Sequence, residues 1–317
     1  MARSRTIFAV IWFCGLSFGP LAGAGWGQSR PPRVADDGRT WLLRARQALA
    51  GHKTISAVIH ERIHLYDHEL VGSGEFAQGP PNSHLLHFDV KFKVGEQDSY
   101  CQQRCDGKFY WSQKFDSGIP LLTRIDVKRV EAARAKAGRS PRVKVQGAAT
   151  EAEPAAPPML GLGGVASLLD QLADWCVFPR VHHGRLPGKQ ALPVIVLEGG
   201  WRPERLLHWL PDQAEAAAHG KPLDLAKLPP MLPDKIVIFL ARDDLFPRRI
   251  EYVVSESRGL TSGDAEPLVQ LHFDNVQFDA KVDPRCFTFD GGLVPPFDDT
   301  DGYLLRSGLL QPAKTGP

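Results

Sequence analysis

Apolar and polar residues alternate along residues 85–115, on both sides of a short turn. Before the turn, one side of an extended chain carries Leu86, Phe88, Val90, Phe92 and Val94. Asp106-Gly107 readily forms a tight hairpin turn. After it, the apolar positions of one face are Phe109, Trp111 and Phe115. A period of two indicates strands with one apolar and one polar face. We therefore expect an aromatic sheet face that covers either a core or an apolar ligand.

Strands dominate the rest of the predicted fold. We predict them at residues 55–69, 71–77, 99–105, 121–128, 191–197, 235–241, 248–255, 267–279 and 286–289. Apolar residues at spacings of three and four predict helices at about 37–50, 130–137, 165–176 and 203–220. Strands at short intervals with hairpin turns favour an α+β fold, in which an antiparallel sheet curls with helices against one side.

The chain begins like an exported protein. Arg3 and Arg5 precede an apolar run at residues 6–18, and Ala22-Gly23-Ala24 fits a signal cleavage site. We predict a cleaved signal peptide at 1–24 and a periplasmic or secreted protein. A flexible leader at 25–35, one domain at 36–299 with insertions at about 130–162 and 203–232, and a C-terminal tail at 300–317 complete the predicted organisation.

Charge and hydropathy narrow the classes of function. The formal net charge is +2, and the loss of two arginines with the signal leaves the mature chain neutral. A neutral chain without a concentrated basic face does not predict a nucleic-acid partner. No segment after the signal has the roughly 20 consecutive apolar residues of a membrane helix, so we predict no membrane span.

Four cysteines follow the predicted signal. They are Cys101, Cys105, Cys176 and Cys286. An even number in an exported chain indicates two disulfides, with three possible pairings. Cys101 and Cys105 share a predicted strand and would lie about 13 Å apart in it, so they can pair only if the strand bulges. Buried thiols are the alternative.

His60-Glu61-Arg62-Ile63-His64 matches H-E-x-x-H, the signature of zinc proteases. The chemistry requires both histidines on one turn of a helix, with the glutamate as base. Here the flanking apolar residues alternate as in a strand, which favours a solvated strand face. A zinc hydrolase built on His60, Glu61 and His64 is therefore the weaker hypothesis, and we expect no metal.

Other motifs of catalysis are missing from the sequence. His182-His183 lies among glycines and prolines and is interpreted as part of a loop. There is no G-x-S-x-G elbow, phosphate-binding glycine loop, dinucleotide fingerprint or C-x-x-C pair. We therefore expect neither an enzyme nor a cofactor.

The order of five segments resembles the bacterial periplasmic lipoprotein-carrier family, the LolA-like proteins. These segments are the N-terminal helix with strand 55–66, the glycine-flanked strand Gly72-Ser73-Gly74-Glu75-Phe76, Pro81-Asn82 before an aromatic strand, the hairpin Asp106-Gly107-Lys108-Phe109-Tyr110-Trp111, and Phe287-Thr288-Phe289 before Pro295-Pro296. The resemblance covers roughly residues 36–299 and is thin at 130–162 and 203–232.

The resemblance implies an unclosed, half β-barrel with helices packed on its concave side. It also implies that the apolar concave face accepts acyl chains of lipoproteins or lipids, which pass from an inner-membrane exporter to an outer-membrane receptor. The sequence departs from the family at Gln78-Gly79-Pro80-Pro81. There the family often has an arginine that helps hold a lid closed.

We therefore predict a non-enzymatic carrier that shelters acyl chains during transfer between membranes. The expected groove lining is Phe88, Val90, Phe92, Phe109, Trp111 and Phe115. The alternative is an envelope sensor or protein-binding module on the same fold, which transports nothing.

Overall fold

The described residues of the protein form one open sheet of twelve strands, seen in a computed structural model. The structure describes residues 37–65, 68–94, 97–116, 119–139, 159–187, 191–207, 209–230, 232–255, 267–290, 295–307 and 309–310. The predicted signal peptide and leader lie outside these residues. The strand order is β12-β6-β5-β4-β3-β2-β1-β11-β10-β9-β8-β7. All neighbours are antiparallel except β12 and β6, which pair in parallel.

The first six strands in the chain pair in sequence order as a meander, and β7 follows α2 and α3 at the opposite edge of the sheet. Their bounds are β1 Ile55–Leu65, β2 His68–Gln78, β3 Leu85–Val94, β4 Gln97–Asp106, β5 Phe109–Asp116, β6 Ile119–Asp126 and β7 Cys176–Leu186. The remaining strands are β8 Leu192–Trp201, β9 Lys235–Ala241, β10 Pro247–Val253, β11 Pro267–Phe278 and β12 Phe297–Asp298. The helices are α1 Asp37–Leu49, α2 Val127–Arg139, α3 Gly164–Trp175, α4 Pro203–Leu206, α5 Ala214–Ala218 and α6 Thr300–Arg306. No described helix is long and apolar enough to cross a membrane.

Period-two alternation decides which face of each strand is buried. In β1 the odd-numbered residues from Ile55 to Ile63 are buried, and in β3 the even-numbered residues from Leu86 to Phe92 are buried. Gly74 of β2 permits a close approach between strands, because a Cβ there would lie 1.6 Å from the carbonyl oxygen of Asp89 in β3. We call the face that carries these buried residues the inner face.

The inner face curls around α3. The N–H of Val165, at the start of α3, donates to Gln78 Oε1 at the end of β2 (3.0 Å), and the other end of α3 leads directly into β7. β2 and β7 are six strand spacings apart in the sheet, roughly 29 Å if it were flat. A helix of 12 residues spans only about 18 Å. The sheet must therefore bend towards the helix, which confirms the predicted α+β fold with a curled, unclosed sheet.

α1 lies beside α3 on the same face. Gly38 of α1 approaches β7 so closely that a Cβ there would be 2.2 Å from Phe178 Cβ. Arg39 donates to the carbonyl of Ala173 in α3 (3.1 Å), and Arg46 forms an ion pair with Asp170 (2.7 Å). The two helices thus cover the inner face of the second half of the sheet.

Three expectations about secondary structure are wrong. Residues 286–289 are not a strand, because a 3-10 turn begins at Pro284 and includes Cys286 and Phe287. The expected helix at 203–220 breaks at Pro211 into α4, a 3-10 turn and α5. His182-His183 lies within β7 rather than a loop. Pro179 and a register shift between Val177 and Arg180 hide the alternation of that strand.

The predicted tail contains a helix that the sequence analysis missed. In α6, Tyr303 and Leu304 are buried, and Arg134 of α2 donates to the Tyr303 hydroxyl (3.3 Å). Thr300 connects α6 to β6, because its hydroxyl accepts from the Asp126 N–H (2.9 Å). The predicted insertion at about 130–162 includes most of α2, and its residues 140–158 lie outside the described residues.

Candidate functional site

The apolar part of the candidate site is the inner face of β3. Leu86, Phe88, Val90 and Phe92 are each at most 4% exposed. Their neighbours on β2 include Phe76, which faces Phe88, and Gly72, which faces Phe92. A Cβ on Gly72 would lie 2.6 Å from the Phe92 ring, so glycine makes room there for the large side chain.

The segment Met159–Gly163 leads into α3 and carries buried apolar side chains. Met159, Leu160 and Leu162 are buried in the main hydrophobic core, which extends along the sheet and also contains Leu86 and Phe88. This segment is neither helix nor strand, and we call it the cover segment. It ends at Gly163 and Gly164, whose φ angles of +93° and +61° favour glycine. A Cβ on Gly164 would lie 2.5 Å from Gln78 Oε1 and 3.7 Å from Leu86 Cδ1. The start of α3 therefore lies directly against β2 and β3.

Two residues of the predicted groove lining, Phe109 and Trp111, are not on the inner face. Leu86 faces Cys105 of β4, and Cys105 faces Tyr110 of β5, so the inner residues of β5 are even-numbered. Phe109 and Trp111 therefore lie on the outer face, and the expectation that they share a face with Phe88, Val90 and Phe92 is wrong. The side chain of Phe115, the third predicted lining residue on β5, lies outside the described part of the structure.

Phe109 and Trp111 instead form an aromatic group on the outer face. Trp111 stacks on Phe289 with ring centroids 5.4 Å apart. The Arg124 guanidinium lies 4.8 Å from the Phe109 ring centre and 5.7 Å from that of Trp111. Arg124 also forms an ion pair with Asp298 (2.8 Å). These contacts attach the C-terminal part of the chain to the outside of the sheet.

A second outer cluster holds the turn around Cys286. His87 Nδ1 and Arg104 both bind the Cys286 carbonyl oxygen, at 3.0 and 3.1 Å. Burial lowers the pKa of His87, and the positive charge of Arg104 lowers it further. A neutral His87 at physiological pH is a hydrogen-bond donor to a carbonyl, which suits an anchor rather than a catalyst.

The inner face of β4 and β5 carries polar residues that the sequence analysis did not single out. Gln103 faces Phe88 on one side and Ser112 on the other, and Cys101 lies between Val90 and Lys114. Ser99, opposite Phe92, is also buried. We call Ser99, Gln103, Ser112 and Lys114 the polar stripe. The residue pairing within the two hairpins, which decides whether odd- or even-numbered residues face inwards, is the signal that could have placed these residues inside. Hydrophobicity gives no such signal here.

The structure has all four cysteines as thiols rather than disulfides. Cys101 and Cys105 lie on the inner face of a β4 that pairs with β3 without a bulge, as the spacing argument required. Burial raises the pKa of the Cys105 thiol to about 12, so it is protonated and unreactive at neutral pH. The two predicted disulfides are therefore absent from the described structure.

The H-E-x-x-H residues lie on a strand, as predicted from the alternation. His60 points outwards and lies 3.4 Å from Asp274. Glu61 lies on the opposite face, with 1% of its surface exposed. A base and two ligands cannot converge on one metal from opposite faces of a sheet, so the geometry does not support the zinc-hydrolase alternative. Within the described ranges, no three His, Cys, Asp or Glu side chains form a group that could hold a metal.

Comparison with known proteins gives only distant structural similarity. No protein-family model and no curated protein matches the chain. LprF from Mycobacterium bovis is 11% identical over 81% of this chain and 97% of its own, with a TM-score of 0.33. A putative outer membrane lipoprotein-sorting protein domain from Vibrio parahaemolyticus is 9% identical over 78% and 94%, with a TM-score of 0.30.

A LolA superfamily protein from Nitrosomonas europaea is also similar. It is 10% identical over 80% of this chain and 97% of its own, with a TM-score of 0.28. Identities and TM-scores this low carry no argument about function. The chain's own strand order and the helices against its curled face give the open α+β architecture described above.

Proposed function

We propose that the protein is a non-enzymatic carrier that binds acyl chains of lipids or lipoproteins on the inner face of β3. Phe88, Val90 and Phe92 would line the groove, and the cover segment would occupy it when no lipid is bound. Apolar walls with a few polar groups are typical of lipid sites. The predicted signal peptide supports a periplasmic or secreted location, where a carrier could exchange lipid between an exporter and a receptor.

The observation that supports this proposal is the irregular structure of the cover segment. α1 and α3 pack on the second half of the sheet through side chains along whole helices. The cover segment contributes only Met159, Leu160 and Leu162 from an irregular stretch that ends in two glycines with left-handed backbone. Such a segment can leave the face without unfolding a helix or a strand.

The free energies of the state closed by the cover segment and of the lipid-bound state are similar enough for the two to exchange. Burying three side chains of this size contributes about 5–9 kcal/mol in total. Burying an acyl chain of ~15 methylenes contributes ~12 kcal/mol before the entropy of binding is subtracted. A lipid can therefore displace the cover segment, and the segment limits the net affinity so that cargo can be released.

The first test measures lipid directly in purified protein. The full-length chain is exported, purified without detergent, extracted with solvent and analysed by mass spectrometry. We expect acyl chains near one equivalent per protein, and delipidated protein should bind the neutral probe N-phenyl-1-naphthylamine and release it when hexadecanoate is added. Protein that contains no acyl chains and binds none in titration would contradict the proposal.

A groove-filling variant and its matched control assign the binding to β3. Val90→Trp places a large ring on the inner face and should reduce acyl binding at least tenfold. Val71→Trp adds the same ring to β2, where Val71 is 51% exposed, and should leave binding unchanged. Circular dichroism verifies that both variants fold. An equal loss of acyl binding in both variants, or no loss in either, would exclude β3 as the lipid site.

A further inference from the structure

The polar stripe is the least expected part of the inner face. Ser112 is 4% exposed and Ser99 is 6% exposed, and neither hydroxyl has a hydrogen-bond partner within the described structure. A buried hydroxyl without a hydrogen-bond partner destabilises the folded state. Native proteins normally satisfy such groups, so two of them on one face indicate that something else completes their hydrogen bonds.

Lys114 lies within the same stripe. It faces Cys101 directly and is diagonal to Ser99 and Gln103, at roughly 7–8 Å between Cα atoms. Lys114 is half-buried and forms no ion pair with a described residue. The described inner-face side chains of β3 to β6 include no carboxylate. The stripe therefore offers hydroxyl donors and a positive charge that no described side chain of these strands neutralises.

We propose that the polar stripe binds the anionic oxygen headgroup of a single-chain lipid, either a carboxylate or a phosphate. This inference rests on the proposed function, because the acyl chain occupies the neighbouring face of β3. The Lys114 ammonium would pair with the anion, and the Ser112 and Ser99 hydroxyls would donate to its oxygens. The chain would then run past Val90 and Phe88 towards the cover segment.

The order of the strands places an apolar part and a polar part of the site next to each other on the inner face. β3 presents only apolar side chains to the inside, and its neighbours β4 and β5 present the polar stripe. A lipid that lies along β3 thus keeps its chain on one side and its headgroup oxygens on the other. A hydrocarbon or a long-chain alcohol would leave Lys114 without a counter-ion.

The test compares lipids that differ only in the headgroup. Displacement of N-phenyl-1-naphthylamine from full-length, delipidated protein is measured with hexadecanoate, hexadecyl phosphate and hexadecanol. Charged hydrogen bonds favour the anionic lipids by about tenfold or more. Whichever of the two anions binds more tightly identifies the source of the headgroup.

Variants of the stripe locate the preference. Lys114→Met keeps the length of the side chain and should reduce the anion-to-alcohol ratio to below about threefold. Lys91→Met, on the exposed outer side of β3, is the matched control and should leave the ratio unchanged. Ser112→Ala is a second, smaller change that should weaken anion binding by about threefold to tenfold without weakening alcohol binding.

The outcomes separate the two proposals. Equal affinities for the anions and the alcohol, or a ratio unchanged by Lys114→Met and Ser112→Ala, would overturn the headgroup site and leave acyl binding standing. Failure of all three lipids to displace the probe would overturn acyl binding and, with it, the headgroup site.

Discussion

The two halves of the inner face are built differently. On β9 to β11, the inner residues Ile238, Ile250 and Phe273 are apolar and at most 1% exposed. On β4 and β5, the inner positions include Gln103, Ser112 and Lys114. Of these, Ser112 is buried and its hydroxyl has no described hydrogen-bond partner, and a core gains nothing from such a group. The first of these regions is therefore a core, and the second has the character of a binding site.

The largest expected effect tests the core half. Phe273 packs edge-on against Phe76 and Phe246, with ring centroids 5.3 and 5.4 Å away. Phe273→Ala should lower the free energy of unfolding by about 3–5 kcal/mol, measured by urea denaturation.

Phe109→Ala on the outer face is the matched control for this change. Phe109 is only partly buried, so its truncation should cost far less than that of Phe273. Equal losses would show that the inner and outer faces do not differ as the register indicates.

The next effect concerns the cover segment. Replacing Met159, Leu160 and Leu162 together by serine removes the apolar side chains that compete with lipid. Affinity for hexadecanoate should rise at least tenfold, because lipid binding no longer has to offset the about 5–9 kcal/mol that burial of these three side chains contributes.

Leu43→Ser is the control for the cover variant. It changes an exposed leucine of α1 and should not alter affinity. If the triple variant folds but binds lipid no better than the wild type, the cover segment does not occupy the groove.

A smaller effect comes from the buried thiol of β4. Burial raises the pKa of Cys105 to about 12 from its ordinary 9.0, so the folded protein favours the neutral thiol. This contribution is fully present below pH 9 and is lost as the pH rises from 9 towards 12. Cys105→Ala should therefore lose less stability than the wild type between pH 9 and pH 11, measured by urea denaturation at each pH. Parallel curves for the two proteins would contradict the burial of this thiol.

The smallest expected effect tests whether Ser112 belongs to the binding site or to the core. Ser112→Ala removes a buried hydroxyl that has no described partner. Without lipid, the midpoint of urea unfolding should stay the same or rise slightly, although anion affinity falls. A marked loss of stability would instead assign Ser112 a structural hydrogen bond.

Most strands of the fold are predictable from alternation, but β7 and the pairing between strands are not. Alternation located β3 and β5 nearly to the residue. β4 reads Gln97–Asp106 with few apolar residues, so its pattern does not show which of its faces is buried. Whether the inner residues of β5 are odd- or even-numbered depends on the register of β4 with β3 and with β5. Because the sequence of β4 does not show this register, the expected face of Phe109 and Trp111 is wrong.

The site was hidden for the same reason. Its polar residues belong to strands whose inner positions are not apolar, and hydrophobic patterns mark only apolar faces. Local rules are commonly broken at functional sites. Ser112 and Lys114 break such a rule because they lie where a core would have apolar residues.

The central claim is that lipid binds on the inner face of β3 to β5. Photolabelling with a hexadecanoate that carries a diazirine in its chain, followed by peptide mass spectrometry, tests it most directly. We predict crosslinks to the inner face, at Val90, Phe88 or Cys101, and to the cover segment. Crosslinks confined to Phe109 and Trp111 on the outer face, or no saturable crosslinks at all, would contradict the account.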